Sequence, residues 1–192
     1  MESKEELRQK YIDIRSRFKD EQVLVSSDKI RDRFFSLDIV DFKQNFLLYH
    51  SFRKEIVTYD IISYLLKIDK NVYLPYISEN KKELQIGQIY NKDDLELGAF
   101  GIKEPKTRSN IPVTMMDVIV VPGLIYAVDG FRLGYGGGYY DRLLVRAKDN
   151  TVTIGLVYDC LLHDKLPIDN FDIPVKIIIT EKQTLFIGGG ED

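Results

Sequence analysis

One cysteine, Cys160, in 192 residues leaves no partner for an internal disulfide and too few thiolates for a cysteine-based zinc site. That scarcity favours a reducing compartment. Histidine is nearly as scarce. His50 and His163 are the only two, and neither sits in a serine- or cysteine-containing motif, so the chain shows no nucleophile–base constellation and no histidine metal cluster. No apolar segment approaches the roughly 18 residues needed to span a bilayer. The first residues, MESKEELRQKYIDIRSRF, are highly charged and lack the apolar core of a signal peptide, so a cytoplasmic location is expected. An excess of positive charge is missing too. With 27 basic and 30 acidic residues the net charge is −3, so nothing global recruits nucleic acid, and an anionic ligand must be held by a local cluster. No repeat, linker or low-complexity block appears. Only the terminal GGGED, residues 188–192, reads as a frayed tail.

What is present is ordinary for a soluble globular domain: 44% hydrophobic and 30% charged residues, enough for one good core. Residues 4–18 read as an amphipathic helix, with Leu7, Tyr11, Ile14 and Phe18 on one stripe and Lys4, Arg8 and Arg15 along a neighbouring strip. A second helix is expected from near Ser27, with Ile30, Phe34 and Leu37 as its stripe. The short apolar run Asn45–Tyr49, a helix begun by Thr58 and Asp60, and the run 71–75 form a βαβ unit, hence a parallel strand pair. Residues 83–90 alternate as an antiparallel or edge strand would, and 91–112 read mostly as loop. Residues 117–121, 151–158 and 176–180 are three further strands. The expectation is a single three-layer α/β domain over residues 1–187, with a mixed, mostly parallel sheet flanked by helices.

The stretch 121–142, VPGLIYAVDGFRLGYGGGYYDR, carries the chemistry. Gly134, Gly136, Gly137 and Gly138 are interrupted only by Tyr135. Glycine allows positive φ and close approach of a ligand to the backbone, so successive amides can point into one concavity. Where such a loop opens a helix, its free N–H groups suit phosphate. Arg132 and Arg142 bracket the loop, and Asp141 can hold a divalent cation. Neither the dinucleotide fingerprint nor a Walker loop fits the spacing. A bare glycine run can also be a hairpin or helix-terminal turn, and Asp141 can be a first-turn acid that favours the helix dipole. Glu55 follows the first strand, near where ligands enter α/β sheets, but composition does not single it out.

Taken together, these residues resemble the 5-formyltetrahydrofolate cyclo-ligase family, also called 5,10-methenyltetrahydrofolate synthetases. The resemblance rests on Val121-Pro-Gly-Leu, Asp129-Gly130 and the run from Arg132 to Arg142, and extends to Lys4-x-x-Leu7-Arg8, Glu55-Ile-Val-Thr58, Gly101-Ile-x-Glu104-Pro105 and Leu166-Pro167…Asp172-Ile-Pro-Val. These anchors span nearly the whole chain in order. The resemblance implies ATP-dependent cyclisation of 5-formyltetrahydrofolate, mono- or polyglutamylated, with ADP and phosphate released and magnesium as cofactor. It implies ATP binding by Lys4, Glu5, Glu6, Leu7 and Arg8 and by Arg132, Leu133, Gly134, Tyr135, Gly136, Gly137, Gly138, Tyr139 and Tyr140. Arg132 would stabilise the transferring phosphoryl group, with no covalent protein nucleophile. Folate would be held by His50, Glu55, Tyr135, Gly136, Gly137, Gly138 and Tyr139, and the metal by Asp141 and Asp172. Two positions depart from the family's pattern: Phe171 stands where histidine is usual, and Lys176 where a further acid is common. A monomer or weak homodimer is expected, with no nucleic-acid or membrane partner. The competing readings are a non-catalytic nucleotide- or folate-binding module on the same scaffold and a different ATP-dependent enzyme.

Overall fold

The computed structural model describes residues 2–78, 83–98 and 101–188, so residues 189–192 of the expected tail lie outside it. Helix α1 (Lys4–Ser16) begins with a capping box: Ser3 Oγ accepts from the Glu6 amide at 3.3 Å while the Glu6 carboxylate accepts from the Ser3 amide at 2.7 Å. Helix α2 (Asp20–Phe35) starts well before Ser27, correcting the expected boundary. Asp20 and Glu21 occupy its first turn, where the helix dipole favours them. Ser27 is not a cap; its hydroxyl accepts from the Val57 amide at 2.9 Å. A short helix α3 (Ile39–Phe42) leads into β1 (Asn45–Leu47), α4 (Tyr59–Lys67) and β2 (Asn71–Ile77).

The chain continues through β3 (Leu84–Ile89), β4 (Leu95–Leu97) and β5 (Lys103–Pro105). The last two pair antiparallel, so the polar segment expected to be loop is instead partly a hairpin; its three-residue strands are too short to show a hydrophobic period. Then come β6 (Val118–Val121), β7 (Ile125–Ala127), β8 (Arg132–Leu133), α5 (Tyr139–Leu144), β9 (Val152–Leu156), β10 (Leu162–His163), β11 (Ile177–Ile179) and β12 (Thr184–Phe186).

Seven strands form the main sheet in the order β12-β11-β9-β6-β1-β2-β3. The five inner strands are parallel; the edge strands β3 and β12 run antiparallel, giving the expected mixed sheet. Val118, Ile119, Val120 and Val121 are fully buried, as a central strand covered on both faces requires. Helices α2, α4 and α5 pack against β11, β2 and β3. From β1 the chain proceeds to β2 on one side, and from β6 to β9 on the other. The gap between β1 and β6 is therefore a topological switch point, and the carboxyl ends of these two strands are where an open α/β sheet binds ligands.

A second sheet, β10-β7-β8, stands over that end. It is seated by Tyr126, whose hydroxyl donates to the Val121 carbonyl at 2.6 Å. A Cβ on Gly155 would lie 2.4 Å from the Tyr126 ring and one on Gly123 2.5 Å from it, so only glycine on both sides admits the phenol.

Candidate functional site

Strand β8 pairs with β7 and delivers Arg132 and Leu133 directly into the glycine loop. Gly136 (φ 98°) and Gly138 (φ 61°) adopt the left-handed conformation that glycine tolerates at least cost, and Gly138 is the residue from which α5 starts. Arg8 lies along this loop. Its Nε donates to the Gly134 carbonyl at 3.2 Å, and a Cβ on Gly136 would sit 3.3 Å from its guanidinium. Tyr139 lies under the Arg142 guanidinium, 5.1 Å from ring centre to Cζ. Gly137 adjoins that ring, so a side chain there would strike it at 2.6 Å.

At one corner of the loop, cations and carboxylates are paired. Arg132 donates to Asp141 Oδ1 at 2.9 Å and to the Ile173 carbonyl at 2.8 Å, while the Ile173 amide donates to the same Asp141 oxygen at 3.3 Å. Asp172, next in the chain, accepts from Lys4 Nζ and from the Asp169 amide at 2.8 Å; Lys4 also reaches Asp169 Oδ2 at 2.7 Å. Burial pulls the Lys4 ammonium pKa down, but these two carboxylates outweigh it and hold it above its ordinary value. Asp141 and Asp172, far apart in sequence, are thus bound together through Ile173. Of the 4–8 span, Lys4 and Arg8 point at this region. Glu5 pairs with Arg8 from an exposed position, Glu6 closes the capping box, and Leu7 is in the core.

The opposite corner is the loop after β1. Thr58 sits before α4 as expected, yet its hydroxyl serves this loop instead of capping the helix: it donates to the Tyr49 carbonyl at 2.6 Å and accepts from the Ser51 amide at 3.1 Å. Tyr158, just past β9, donates to the Lys54 carbonyl at 3.0 Å. So held, Glu55 is 6% exposed and accepts from the Phe52 amide at 2.9 Å and the Tyr135 hydroxyl at 3.4 Å. Arg15 reaches the same carboxylate at 3.6 Å. Burial raises the Glu55 pKa, and Arg15, the Phe52 amide and Tyr135 oppose that rise. The Tyr135 phenol is pushed up to about 12 by burial and the neighbouring Glu55. Between the two corners lies the Tyr140 hydroxyl, buried without a hydrogen-bond partner among the described residues, its pKa raised by burial and by Glu55. His50 is half-buried, its Nδ1 3.3 Å from the Ser51 carbonyl, and burial lowers its pKa.

Sequence spacing had placed Arg15 on a strip with Lys4 and Arg8 but gave it no role; a seven-residue offset, two helical turns, was the signal available. Asp169 carried no signal. Phe171 is exposed, with its ring 6.0 Å from the Lys4 ammonium. Lys176 bonds instead to the Asp149 and Thr151 carbonyls, at the other end of β9, so this departure does not touch Asp172. Among the described residues, no group of three His, Cys, Asp or Glu side chains can hold a metal by itself. The donor chemistry does fit magnesium in its usual mode, one or two carboxylates completed by phosphate and water.

A family model described as the 5-formyltetrahydrofolate cyclo-ligase family matches residues 1–181. The chain belongs to this family. Its cyclo-ligase relatives include those of Haemophilus influenzae, 34% identical over 146 residues (73% of this chain, 78% of the relative), and Escherichia coli K12, 34% identical over 134 residues (68% and 74%). Among solved structures, the Aquifex aeolicus 5,10-methenyltetrahydrofolate synthetase superposes with a TM-score of 0.87 at 32% identity, covering 98% of this chain and 95% of its own. The Mycoplasma pneumoniae synthetase, at 21% identity and a TM-score of 0.74, shares the fold, covering 94% and 99%. The chain is accordingly an enzyme, a ligase of folate metabolism.

Proposed function

We propose that the protein converts 5-formyltetrahydrofolate to 5,10-methenyltetrahydrofolate at the expense of ATP, with magnesium. The observation that carries this reading is the meeting, around one glycine loop, of a cation–carboxylate corner (Lys4, Arg8, Arg132, Asp141, Asp172) and a buried carboxylate corner (Glu55, Tyr135) in a member of this family.

A formamide oxygen is a poor leaving group and N10 is a weak nucleophile. Transfer of the γ-phosphoryl group to the formyl oxygen forms a P–O bond there as the bond to the departing ADP breaks. N10 then attacks the formyl carbon and loses its proton, the C–O bond breaks, and phosphate leaves with the amidinium formed. Positioning and charge neutralisation dominate such transfers, so the lack of a protein nucleophile is expected. Arg132 and Lys4 neutralise phosphate charge, the amides of Gly136 to Gly138 approach the chain of phosphates, and Glu55 accepts hydrogen bonds from the pterin ring. Magnesium, held by Asp141 and Asp172 with the phosphates, would offset the charge of the triphosphate.

Protein, magnesium, ATP and 5-formyltetrahydrofolate should together give rising near-ultraviolet absorbance from the conjugated methenyl product. No rise at saturating ATP would refute the enzyme reading; a rise without ATP would refute the phosphorylation route.

A further inference from the structure

Arginine is almost never fully buried unless paired, yet Arg15 is 5% exposed in the last turn of α1. Its guanidinium joins three segments distant in sequence. Nη1 donates to the Gly123 carbonyl at 3.1 Å, just past β6. Nη2 donates to the Tyr135 phenol oxygen on the glycine loop and lies 3.6 Å from Glu55 Oε1 in the loop after β1. The guanidinium also stands 5.5 Å from the centre of the Tyr135 ring. A planar fork holds its acceptors in one fixed geometry, whereas a lysine ammonium, a point charge on a flexible stem, bonds several without fixing their plane.

Resting on the reading that Glu55 holds the pterin ring, we propose that Arg15 is the positioning residue of the folate side: it keeps Glu55 an aimed carboxylate and ties it to the glycine loop. A carboxylate this buried tends to take up a proton, which would turn an acceptor into a donor. Arg15 opposes that with a full charge, helped by Arg53 and the Phe52 amide. The other titratable groups facing Glu55 are the phenols of Tyr49, Tyr126, Tyr135, Tyr140 and Tyr158, all raised by burial and so neutral through the working range. Glu55 uses one oxygen on Phe52 and one on Tyr135, each with lone-pair capacity left for a ligand. Because Nη2 serves both Tyr135 and Glu55, the position of the glycine loop and the charge of the folate acceptor are set by one group.

Arg15→Met keeps the apolar stem and removes the charge. The expected result is a KM for 5-formyltetrahydrofolate raised about 30-fold or more, the scale of one broken buried charge pair, with KM for ATP changed far less. The acidic limb of kcat/KM for the folate should also move to higher pH, since losing the cation raises the Glu55 pKa. Repeating the profile in a His50→Gln background separates Glu55 from the His50 imidazole, whose own pKa burial lowers. Arg15→Lys should leave the limb near wild type with an intermediate folate KM. A wild-type folate KM and an unmoved limb in Arg15→Met would overturn the proposal. If that variant does not fold, Arg15→Lys and Tyr135→Phe decide: unchanged folate KM in both overturns it, and raised folate KM with ATP use retained supports it. Failure of the wild-type protein to turn over 5-formyltetrahydrofolate would instead refute the folate site itself.

Discussion

Replacing Arg132 by alanine removes a guanidinium with only 5% side-chain exposure that makes two bonds of 2.8 and 2.9 Å, to the Ile173 carbonyl and Asp141. Two costs follow, and they can be measured apart. For folding, deleting one partner of a buried pair costs about 3–5 kcal/mol. Asp141 is 20% exposed and keeps its bond from the Ile173 amide, so solvent compensates in part; the expected loss is about 2–3 kcal/mol. For chemistry, losing one preorganised donor aimed at developing charge costs about 2.7–4 kcal/mol, or 10²–10³ in rate. We therefore expect kcat/KM for ATP to fall by about 10³, while the folate dissociation constant changes less than about threefold, since Glu55 and Arg15 share no bond with Arg132. Urea unfolding measures the first cost, initial rates at varied ATP the second, and folate titration without nucleotide the control. Arg132→Lys should fall between, because one ammonium cannot reproduce the fork. Equal losses toward folate and ATP would refute the assigned role. So would full recovery of ATP use at a temperature where the variant is folded.

Asp141→Asn should raise the magnesium concentration needed for half-maximal rate by about tenfold or more, the scale of one lost ligand charge; an unchanged magnesium titration would leave Asp141 as the partner of Arg132 alone. Gly155→Ala places a Cβ 2.4 Å from the Tyr126 ring, and urea unfolding should show a loss of about 1–3 kcal/mol or more; a neutral effect would show that the second sheet is not clamped as described. Asp117 accepts from the Asn45 amide at 2.8 Å, the Gln44 amide at 3.1 Å and Asn45 Nδ2 at 3.1 Å. Burial works against it, but these donors hold its pKa below the ordinary value. Its contribution is therefore fully present above the unfolded carboxylate pKa and is lost as pH falls through the lower folded one. Asp117→Asn should lower stability at pH 7 by about 1–2 kcal/mol and flatten the acid dependence of unfolding, whereas an unaltered pH profile would refute the assignment.

How legible the molecule was from its sequence follows from which features are local. The first inner strands are short, largely apolar runs, β-branched throughout in Val118–Val121, so that strand and the β1–α4–β2 unit could be read directly. Strands β7, β8 and β10 could not. They are two or three residues long and exist because Tyr126 is clamped between Gly123 and Gly155, a contact that joins residues some thirty positions apart. The start of α2 was misplaced for a different reason: Ser27 looks like a cap, but its hydroxyl is committed to the Val57 amide. At the site, the glycine loop and its flanking charges were visible in sequence. That Arg15 lies beneath it, and that Asp169 shares Lys4 with Asp172, depends on loops brought together only by the folded sheet.

The same distinction explains why both corners hold their charges in pairs. Lys4 faces Asp169 and Asp172, Arg132 faces Asp141, and Arg15 faces Glu55. Unpaired, each partly buried ion would carry a desolvation cost of several kcal/mol, so a fold that keeps such cations at a ligand site has to satisfy them internally first. A bare polyanion arriving at the first corner would draw Lys4 and Arg132 away and leave the carboxylates facing added negative charge. A ligand carrying both signs can exchange partners instead, phosphate taking the cations as its divalent ion takes the carboxylates, and no charge is stranded. On the proposed reading that ligand is magnesium–ATP, so the pairing would select for the metal complex over free nucleotide. The second corner works the other way. Arg15 already has Glu55, Tyr135 and the Gly123 carbonyl, which makes it a fixed strut, not a cation awaiting phosphate.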